Sequence, residues 1–377
     1  MPPEPVNLGE YRDRIEEARR LVEQTRRFEE PERVPVVMSV AGSYFCWLLG
    51  VDIADYYQDI DLQVDVQLYG ARWCFEELQD DRTGYALHYD AGPVAEGLLF
   101  GLPIERPRGT SPWIVRGLHT AEQIEGLQVP DPAQAEGVQE HFRRIAQFRA
   151  RAKERGLDVP VGGGGIGIHP PLSCATAIAD AALIYALMLE RPDVIHRLFA
   201  KLLQAFCACI EYTCRRNGTD LPSSIGLADD NSAFVGLDVW RRLVLPYNLA
   251  IYERYGHNGR SLHGDGPNDH IFWDLAHVVR IHEMDIGGFS DIAVAKRDMA
   301  GKTVIRGNLN CRDLYGDFAA ARPAVDRCLR IGAPGGGFIF GVGGETYAGV
   351  NPKTLCEVVA YVKQTTRRPD AVGRRQL

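Results

Sequence analysis

Strand-like and helix-like segments alternate about eight times along the 377 residues, with short connections and no linker between them. Such alternation is typical of a parallel sheet covered by helices, and eight repeats in a chain of this length favour a (β/α)8 barrel of the TIM type. A doubly wound sheet is the structural alternative. The predicted strands, rich in β-branched and aromatic residues, lie at residues 34–40, 85–90, 159–161, 224–228, 259–262, 285–289, 303–306 and 337–341.

The helical segments between these strands carry apolar residues at helical spacing. In the longest segment, from Pro192 to Asn217, apolar residues recur every three or four positions, and Gly218 is placed to end the helix. A shorter amphipathic helix over residues 11–30 precedes the first strand. We therefore predict an N-terminal helical extension over residues 1–33 and a single barrel domain over residues 34–377.

Composition and charge narrow the classes of function. The net charge of −8 argues against nucleic-acid binding, which requires a basic face. No stretch of about 18 apolar residues occurs, so no membrane span is expected. The first residues lack the basic and apolar regions of a targeting signal. Nine cysteines without a C-x-x-C pair suggest free thiols in a reducing compartment, so the sequence predicts a cytoplasmic protein.

Polar side chains follow several predicted strands, at the ends that meet on the active face of a barrel. His263 and Asp265 are two residues apart, so on a strand their side chains share one face. An imidazole and a carboxylate placed together can bind a metal ion or transfer a proton, although a structural role for such a pair is also open. Asp229, Asp230, Asn308 and Glu345 also follow predicted strands and are expected to converge there.

Asp229 and Asp230 are adjacent, so their side chains are expected to point in opposite directions. One carboxylate is expected to face the pocket, where it would handle a proton. The other is expected to cap a helix or join a salt bridge. The sequence leaves open which of the two faces the pocket.

The assembled motifs resemble the uroporphyrinogen decarboxylase superfamily, and more specifically its methyltransferases that use corrinoid carriers with coenzyme M or tetrahydrofolate. The resemblance covers nearly the whole chain after about residue 30 and implies a TIM-type barrel. Its motifs are Leu127-Gln-Val-Pro-Asp-Pro132, Ala228-Asp-Asp230 with Val244-Leu-Pro-Tyr247, His263-Gly-Asp-Gly266, Asp291-Ile-Ala-Val-Ala-Lys296, Gly307-Asn308 and Gly332-Ala-Pro-Gly-Gly-Gly-Phe-Ile339.

Two arginines of the decarboxylase motif are replaced in this chain. The decarboxylases carry Met-Arg-Gln-Ala-Gly-Arg-Tyr after the first strand, and the matching positions here read Met38-Ser-Val-Ala-Gly-Ser-Tyr44. A tetra-acetate substrate needs cationic partners, so haem-pathway decarboxylation is not expected. The resemblance implies that Tyr44 helps to shape the pocket.

The zinc ligands of the methyltransferase branch, a His-x-Cys and a later cysteine, are also changed. The similar positions here are His263-x-Asp265 and Gly344, with Glu345 next to the lost cysteine. The resemblance therefore implies a zinc site of His263, Asp265 and Glu345, a ligand set that zinc accepts. Carboxylates donate less electron density than thiolates, which favours tetrahydrofolate over coenzyme M as the acceptor. A metal-free site in which Asp265 hydrogen bonds to His263 is the alternative.

The leading hypothesis is a methyltransferase that moves a methyl group between methylcobalamin on a corrinoid carrier and tetrahydrofolate or a thiol. The carrier would be a separate protein, because the chain has no Asp-x-His-x-x-Gly motif, and family members suggest a homodimer. Asn308 and His169 are candidates to bind the substrate, with turn and loop roles as alternatives. One rival is a lyase of a small carboxylic acid, with His263 and Asp265 in acid–base roles and Arg306 as the cation. Another is a binding barrel without activity.

Overall fold

A five-stranded parallel sheet lies at the centre of the computed structural model, which describes residues 6–157 and 159–368. Its strands follow one another in chain order, so each is joined to its neighbour by a helical crossover. They are β3 (Ser224–Ala228), β4 (Gly259–Gly264), β5 (Glu283–Ile286), β6 (Val304–Leu309) and β7 (Phe338–Val342). A separate antiparallel pair precedes them, consisting of β1 (Ile104–Glu105) and β2 (Trp113–Ile114).

Helices surround the sheet and supply most of the apolar core. The α-helices of the described residues are α1 (Arg12–Arg26), α2 (Gly42–Leu49), α3 (Ile53–Gln58), α4 (Ile60–Trp73), α5 (Ala95–Phe100), α6 (Ala121–Gly126), α7 (Glu136–Glu154), α8 (Pro171–Ile178), α9 (Ala181–Glu190), α10 (Pro192–Asn217), α11 (Leu237–Val239), α12 (Leu245–Tyr255), α13 (Phe272–Asp274), α14 (Ile292–Met299), α15 (Phe318–Gly332) and α16 (Pro352–Thr365). Short 3₁₀ and π turns lie at Leu8–Tyr11, Cys74–Leu78, Asp230–Phe234, Trp240–Val244, Asp269–Ile271, Leu275–Val279 and Cys311–Leu314.

Local sequence signals place several elements well. The helix predicted from Pro192 to Asn217 is confirmed at both ends, and Gly218 ends it with φ 63°. The first helix is shorter than predicted and ends at Arg26. The strand predicted at residues 285–289 lies instead at Glu283–Ile286.

Three of the eight predicted strands do not form regular strands, and the prediction is corrected here. The segments at residues 34–40, 85–90 and 159–161 make only isolated parallel bridges. Val36 pairs with Phe340 of β7, so the first segment lies beside the last strand. Leu87 pairs with Val161, which joins the second segment to the third. The first segment thus neighbours the last, as it does in a barrel.

Side chains from other segments replace the missing ladder partners of the first segment. The backbone N–H of Val36 donates to Asp81 Oδ2 (2.8 Å), and that of Met38 donates to Asp80 Oδ2 (3.0 Å). Arg33 donates two hydrogen bonds to the Asp81 carboxylate, at 2.6 and 2.8 Å. Carboxylates can satisfy backbone donors as a neighbouring strand would, so this segment stays extended without a regular ladder.

Two glutamines of α4 do the same for the second segment. Gln67 exchanges two hydrogen bonds with the backbone of His88, at 2.8 and 2.9 Å. Gln63 does so with the backbone of Asp90, at 2.7 and 3.0 Å. A side-chain amide offers the donor and acceptor of a peptide group, so helix α4 takes the place of a sheet neighbour. No pattern within the segment's own sequence predicts these hydrogen bonds to α4.

The two faces of the sheet differ in polarity. One row of strand partners is apolar and packs against the helices, and it consists of Leu227, Leu262, Met284, Ile305 and Phe338. The next row, one residue later on every strand, points to the opposite face, and it consists of Ala228, His263, Asp285, Arg306 and Ile339. Three ionisable side chains on adjacent strands, those of His263, Asp285 and Arg306, therefore lie on the face of the sheet that is opposite the helix-packed row. This face is called the interior face below.

Helix α1 covers the amino-terminal end of this interior. Val22 packs with Val304 and Ile339, and Arg26 forms an ion pair with Glu283 at 2.8 Å. This end is therefore closed by apolar packing, which leaves the carboxyl ends of the strands as the open face. All nine cysteines are free thiols, and none of the helices in the described residues is long and apolar enough to cross a bilayer.

Candidate active site

His263 lies near the end of β4 and is held by a carboxylate on the next strand. Its Nδ1 is 3.1 Å from Asp285 Oδ2. Its Nε2 is 3.3 Å from Asp265 Oδ1 and 3.8 Å from Asp230 Oδ1. The hydrogen bond to Asp285, with the charges of these carboxylates, raises the pKa of His263 to about 9. Asp285 fixes the ring so that Nε2 is the nitrogen presented to the site.

Asp230, His263 and Asp265 form a group that could hold a metal ion. One ligand atom from each residue can be chosen so that all lie within 4.8 Å of one another. The backbone N–H of Asp265 donates to Asp230 Oδ1 at 2.8 Å, which ties the two loops together. Asp265 Oδ1 is buried and, among the residues that the structure describes, accepts no hydrogen bond, although His263 is near. An acceptor left in this state is suited to a cation.

Glu345, the third metal ligand implied by the sequence, is not part of this three-residue group. Burial of its carboxyl, followed by the charges of Asp265 and Asp90, raises the pKa of Glu345, while His263 acts in the opposite direction. Glu345 therefore lies in the electrostatic field of the same site. Asp230 takes its place among the candidate ligands of the compact group.

Gly344 and Asp265 occupy complementary space. Gly344 has φ 87°, a conformation that side chains rarely adopt, and a Cβ there would lie 2.4 Å from Asp265 Oδ1. A cysteine at position 344 would therefore collide with the Asp265 carboxylate where that carboxylate lies in this structure. The loss of the later cysteine and the presence of Asp265 form one consistent arrangement.

We expect Gly344→Ala to lower the free energy of unfolding by about 2–4 kcal/mol, because it combines left-handed strain with a collision at the site. Gly50 is the matched control, since it has φ 65° and no atom within 4 Å of its added Cβ. Gly50→Ala should cost only the backbone strain, about 1–2 kcal/mol. Urea unfolding of both variants measures the difference, and equal losses would contradict the collision.

The structure distinguishes Asp229 from Asp230. Asp229 is 2% exposed and accepts hydrogen bonds from Ser173 Oγ (2.7 Å), Ser232 Oγ (2.7 Å) and Asn248 Nδ2 (3.0 Å). Burial raises its pKa. The side chain of Asp230 is 51% exposed and faces His263. Asp230 is thus the carboxylate of the site, and Asp229 holds the surrounding helices.

His169 lies two residues before α8, whose Ser173 donates to Asp229. Its Nδ1 is 2.7 Å from Glu96 Oε1, and its backbone N–H donates to the same oxygen at 2.6 Å. The Glu96 hydrogen bond raises the pKa of His169, to which the charges of Asp230 and Asp229 contribute. Sequence reasoning missed Glu96. Its signal is a lone acid in the apolar stretch Val94-Ala-Glu-Gly-Leu-Leu99.

Two of the other predicted substrate-binding residues are used inside the protein. Tyr44 is fully buried, and its hydroxyl donates to the carbonyl of Val350 at 3.0 Å. Asn308 is 4% exposed, and its amide donates to the carbonyls of Gly287 (3.0 Å) and Ser290 (2.8 Å). Both side chains therefore brace the walls of the site with these donor groups.

Arg306 differs from both. It is half-buried on the interior face, in register with Asp285 of the neighbouring strand. Across residues 6–157 and 159–368, no hydrogen bond or ion pair engages its guanidinium. An arginine in this setting is available to an anionic group.

The chain belongs to the uroporphyrinogen decarboxylase family. The profile described as "Uroporphyrinogen decarboxylase (URO-D)" matches residues 17–365, which is most of the sequence. The family resemblance drawn from the motifs is thereby confirmed. Membership of this family agrees with an α/β fold whose functional site lies at the carboxyl ends of the strands.

Two relatives refine this placement. The chain is 25% identical over 191 residues to a uroporphyrinogen decarboxylase from Salinispora tropica, and the match spans 49% of each chain. The chain thus spans about half the length of this curated relative. The fold of the present chain is similar to that of a methyltransferase from Methanosarcina mazei. The two structures match with a TM-score of 0.65 and 16% identity, over 92% of this chain and 98% of that one. At that identity the likeness shows the fold.

Proposed function

We propose that the protein is a methyltransferase that moves a methyl group between a corrinoid carrier and tetrahydrofolate or a thiol, assisted by a zinc ion. The observation that carries the proposal is the group of Asp230, His263 and Asp265 at the strand ends. The shared fold with a methyltransferase and the two lost arginines, at Ser39 and Ser43, support it. A separate carrier protein and a homodimer belong to the same proposal.

The donor set fits zinc. One imidazole nitrogen and two carboxylates are accepted zinc ligands, and a carboxylate behind the histidine, here Asp285, orients the ring as in many zinc sites. Burial raises the pKa of Asp265 and of Glu345. Without a metal ion, these two carboxyl groups are therefore more readily protonated than usual. A divalent cation would instead stabilise their charged forms. Glu345 remains the candidate for a further ligand.

The side chains have separate tasks in this proposal. His263, Asp265 and Asp230 would hold the ion, which supplies Lewis acidity to the acceptor when bound. Asp285 keeps Nε2 of His263 directed at the site. Two carboxylate ligands donate less charge than two thiolates, so a thiolate acceptor would gain little nucleophilicity. The arrangement therefore favours tetrahydrofolate over a thiol.

The test is methyl transfer from methylcobalamin, with zinc-loaded protein and either tetrahydrofolate or coenzyme M as acceptor. We expect about one zinc per chain and faster transfer to tetrahydrofolate. Asp265→Asn should lower both zinc content and rate, because it removes one charged ligand. Asp13→Asn, an exposed change in α1, is the control and should alter neither. Protein that binds zinc but transfers no methyl group to either acceptor would overturn the proposal.

Arg306 favours a second candidate function. The guanidinium of Arg306, which has no hydrogen bond or ion pair among the described residues, lies on the strand next to Asp285 and suits a small carboxylic acid. It would bind the carboxylate of that acid while His263 acts as the proton donor. This candidate is a carboxy-lyase. Release of carbon dioxide by protein without zinc, lost in Arg306→Gln, would support it over methyl transfer.

A further inference from the structure

A second imidazole backed by a carboxylate, that of His169, lies just before α8, and Ser173 of that helix donates to Asp229, the neighbour of Asp230, at 2.7 Å. We propose that His169, oriented by Glu96, is the acid–base residue that exchanges a proton with the amine nitrogen during methyl transfer. This inference rests on the proposed function. It assigns His169 a catalytic role and Glu96 the role of a positioning residue, beyond the binding of substrate or metal.

The geometry of the pair supports this assignment. Glu96 is 1% exposed, and one of its oxygens receives both the Nδ1 contact and the backbone N–H of His169. These two contacts fix the position and rotation of the ring. Nε2 then has no hydrogen-bond partner within residues 6–157 and 159–368, and the side chain is 39% exposed, so a substrate can reach it.

The other titratable groups of the site are already engaged. Asp229 is buried and accepts three hydrogen bonds, so it has no path to a substrate proton. Asp230, Asp265 and His263 form the candidate metal group. A residue that binds the ion is a poor proton carrier, because its lone pair is occupied. The proton that we first assigned to Asp229 or Asp230 is therefore better assigned to His169.

The electrostatics of the surroundings favour an imidazolium. The groups that face His169 are Glu96 from α5, together with Asp229 and Asp230 from the end of β3. All three charges stabilise the protonated ring. On α8, which follows His169, the buried Cys174 has a raised pKa and stays neutral. The three carboxylates raise the pKa of His169, which favours the protonated ring that a general acid requires.

The methyl-transfer step balances in protons and electrons when a tertiary N-methylamine is the methyl donor and cob(I)alamin or a thiolate is the nucleophile. His169 Nε2–H gives its proton to the amine nitrogen. The N–CH3 bond then breaks, its electron pair stays on that nitrogen, and the nucleophile forms the new bond to the methyl carbon. In the reverse direction, neutral His169 takes the proton that the amine loses on methylation.

The experiment is the pH profile of methyl transfer between 5-methyltetrahydrofolate and cob(I)alamin with His169→Ala. We expect kcat to fall by about 10²–10⁴-fold, the usual contribution of a general acid, with KM little changed. The limb of the profile that reports the acid should disappear, and added imidazole should restore part of the rate. His257→Ala, an exposed change that precedes β4 at the opposite end of the sheet, is the control.

Glu96→Gln separates orientation from proton transfer. It should keep the ring in place but move the acid limb to lower pH, because the neutral amide no longer stabilises the imidazolium. ¹⁵N NMR of the imidazole should show the same direction of change without any turnover. Wild-type kcat and profile in His169→Ala, with transfer intact, would overturn this inference alone. A raised KM with unchanged kcat and no rescue by imidazole would also overturn it, because His169 would then only bind the substrate.

Discussion

His263→Ala is expected to abolish zinc binding at the proposed site and to lower the proposed methyl transfer more than any other single change there. The imidazole is the sole nitrogen ligand of the candidate group, and Asp230 and Asp265 would then face each other without a positive partner. Asp285→Asn should have a smaller effect, about 10- to 100-fold in metal affinity, since it removes only the group that orients the ring. Metal analysis and the methylcobalamin assay measure both effects.

The comparison of these two variants is the sharp part of the test. His257→Gln, which changes an exposed imidazole, should leave zinc content at the wild-type level. Retention of one zinc per chain in His263→Ala would place the metal elsewhere and contradict the site. Equal losses in Asp285→Asn and His263→Ala would mean that the ring cannot bind the metal without its carboxylate partner.

Asp229→Ala is expected to have the largest effect on stability, about 3–5 kcal/mol. It leaves the donors of Ser173, Ser232 and Asn248 without their acceptor in a buried setting, and each such donor costs about 1–3 kcal/mol before relaxation. Asp230→Ala should cost less than about 1 kcal/mol, because its side chain is half exposed. Urea unfolding of the metal-free proteins measures both.

The same two variants should reverse their order in a metal assay. Asp230→Ala should bind zinc weakly, since it loses a ligand, while folded Asp229→Ala retains all three ligand side chains. A stability loss in Asp230→Ala as large as that in Asp229→Ala would contradict the separation of the two carboxylates. So would unchanged zinc binding in Asp230→Ala.

The site differs chemically from one built on thiolates. Asp265 fills the space beside Gly344, and no side chain fits at position 344 while it does so. The group therefore combines a histidine with carboxylates in a consistent geometry. In the proposed function, a zinc ion held by this group would be a harder Lewis acid than one held by thiolates, so the methyl-transfer assay with tetrahydrofolate and coenzyme M tests the expected acceptor preference.

The sequence by itself determined the α/β class, the bounds of α10 and the convergence of His263, Asp265 and the Asp229–Asp230 pair at one face. These follow from local periodicity, from helix-ending residues and from the rule that parallel strands end at the same edge. The motifs also placed the chain in its family. All of these signals lie within short stretches of sequence.

Only the tertiary structure decided which side chains complete the site. Asp285 reaches His263 because their strands are in register, and Glu96 reaches His169 across 73 residues of sequence. The choice between Asp229 and Asp230 depended on the helices that bury one of them. The edge segments stayed outside the sheet because side chains of α4 and of the Asp80–Asp81 loop supply their hydrogen bonds. Such partners are distant in sequence, so no local pattern specifies them.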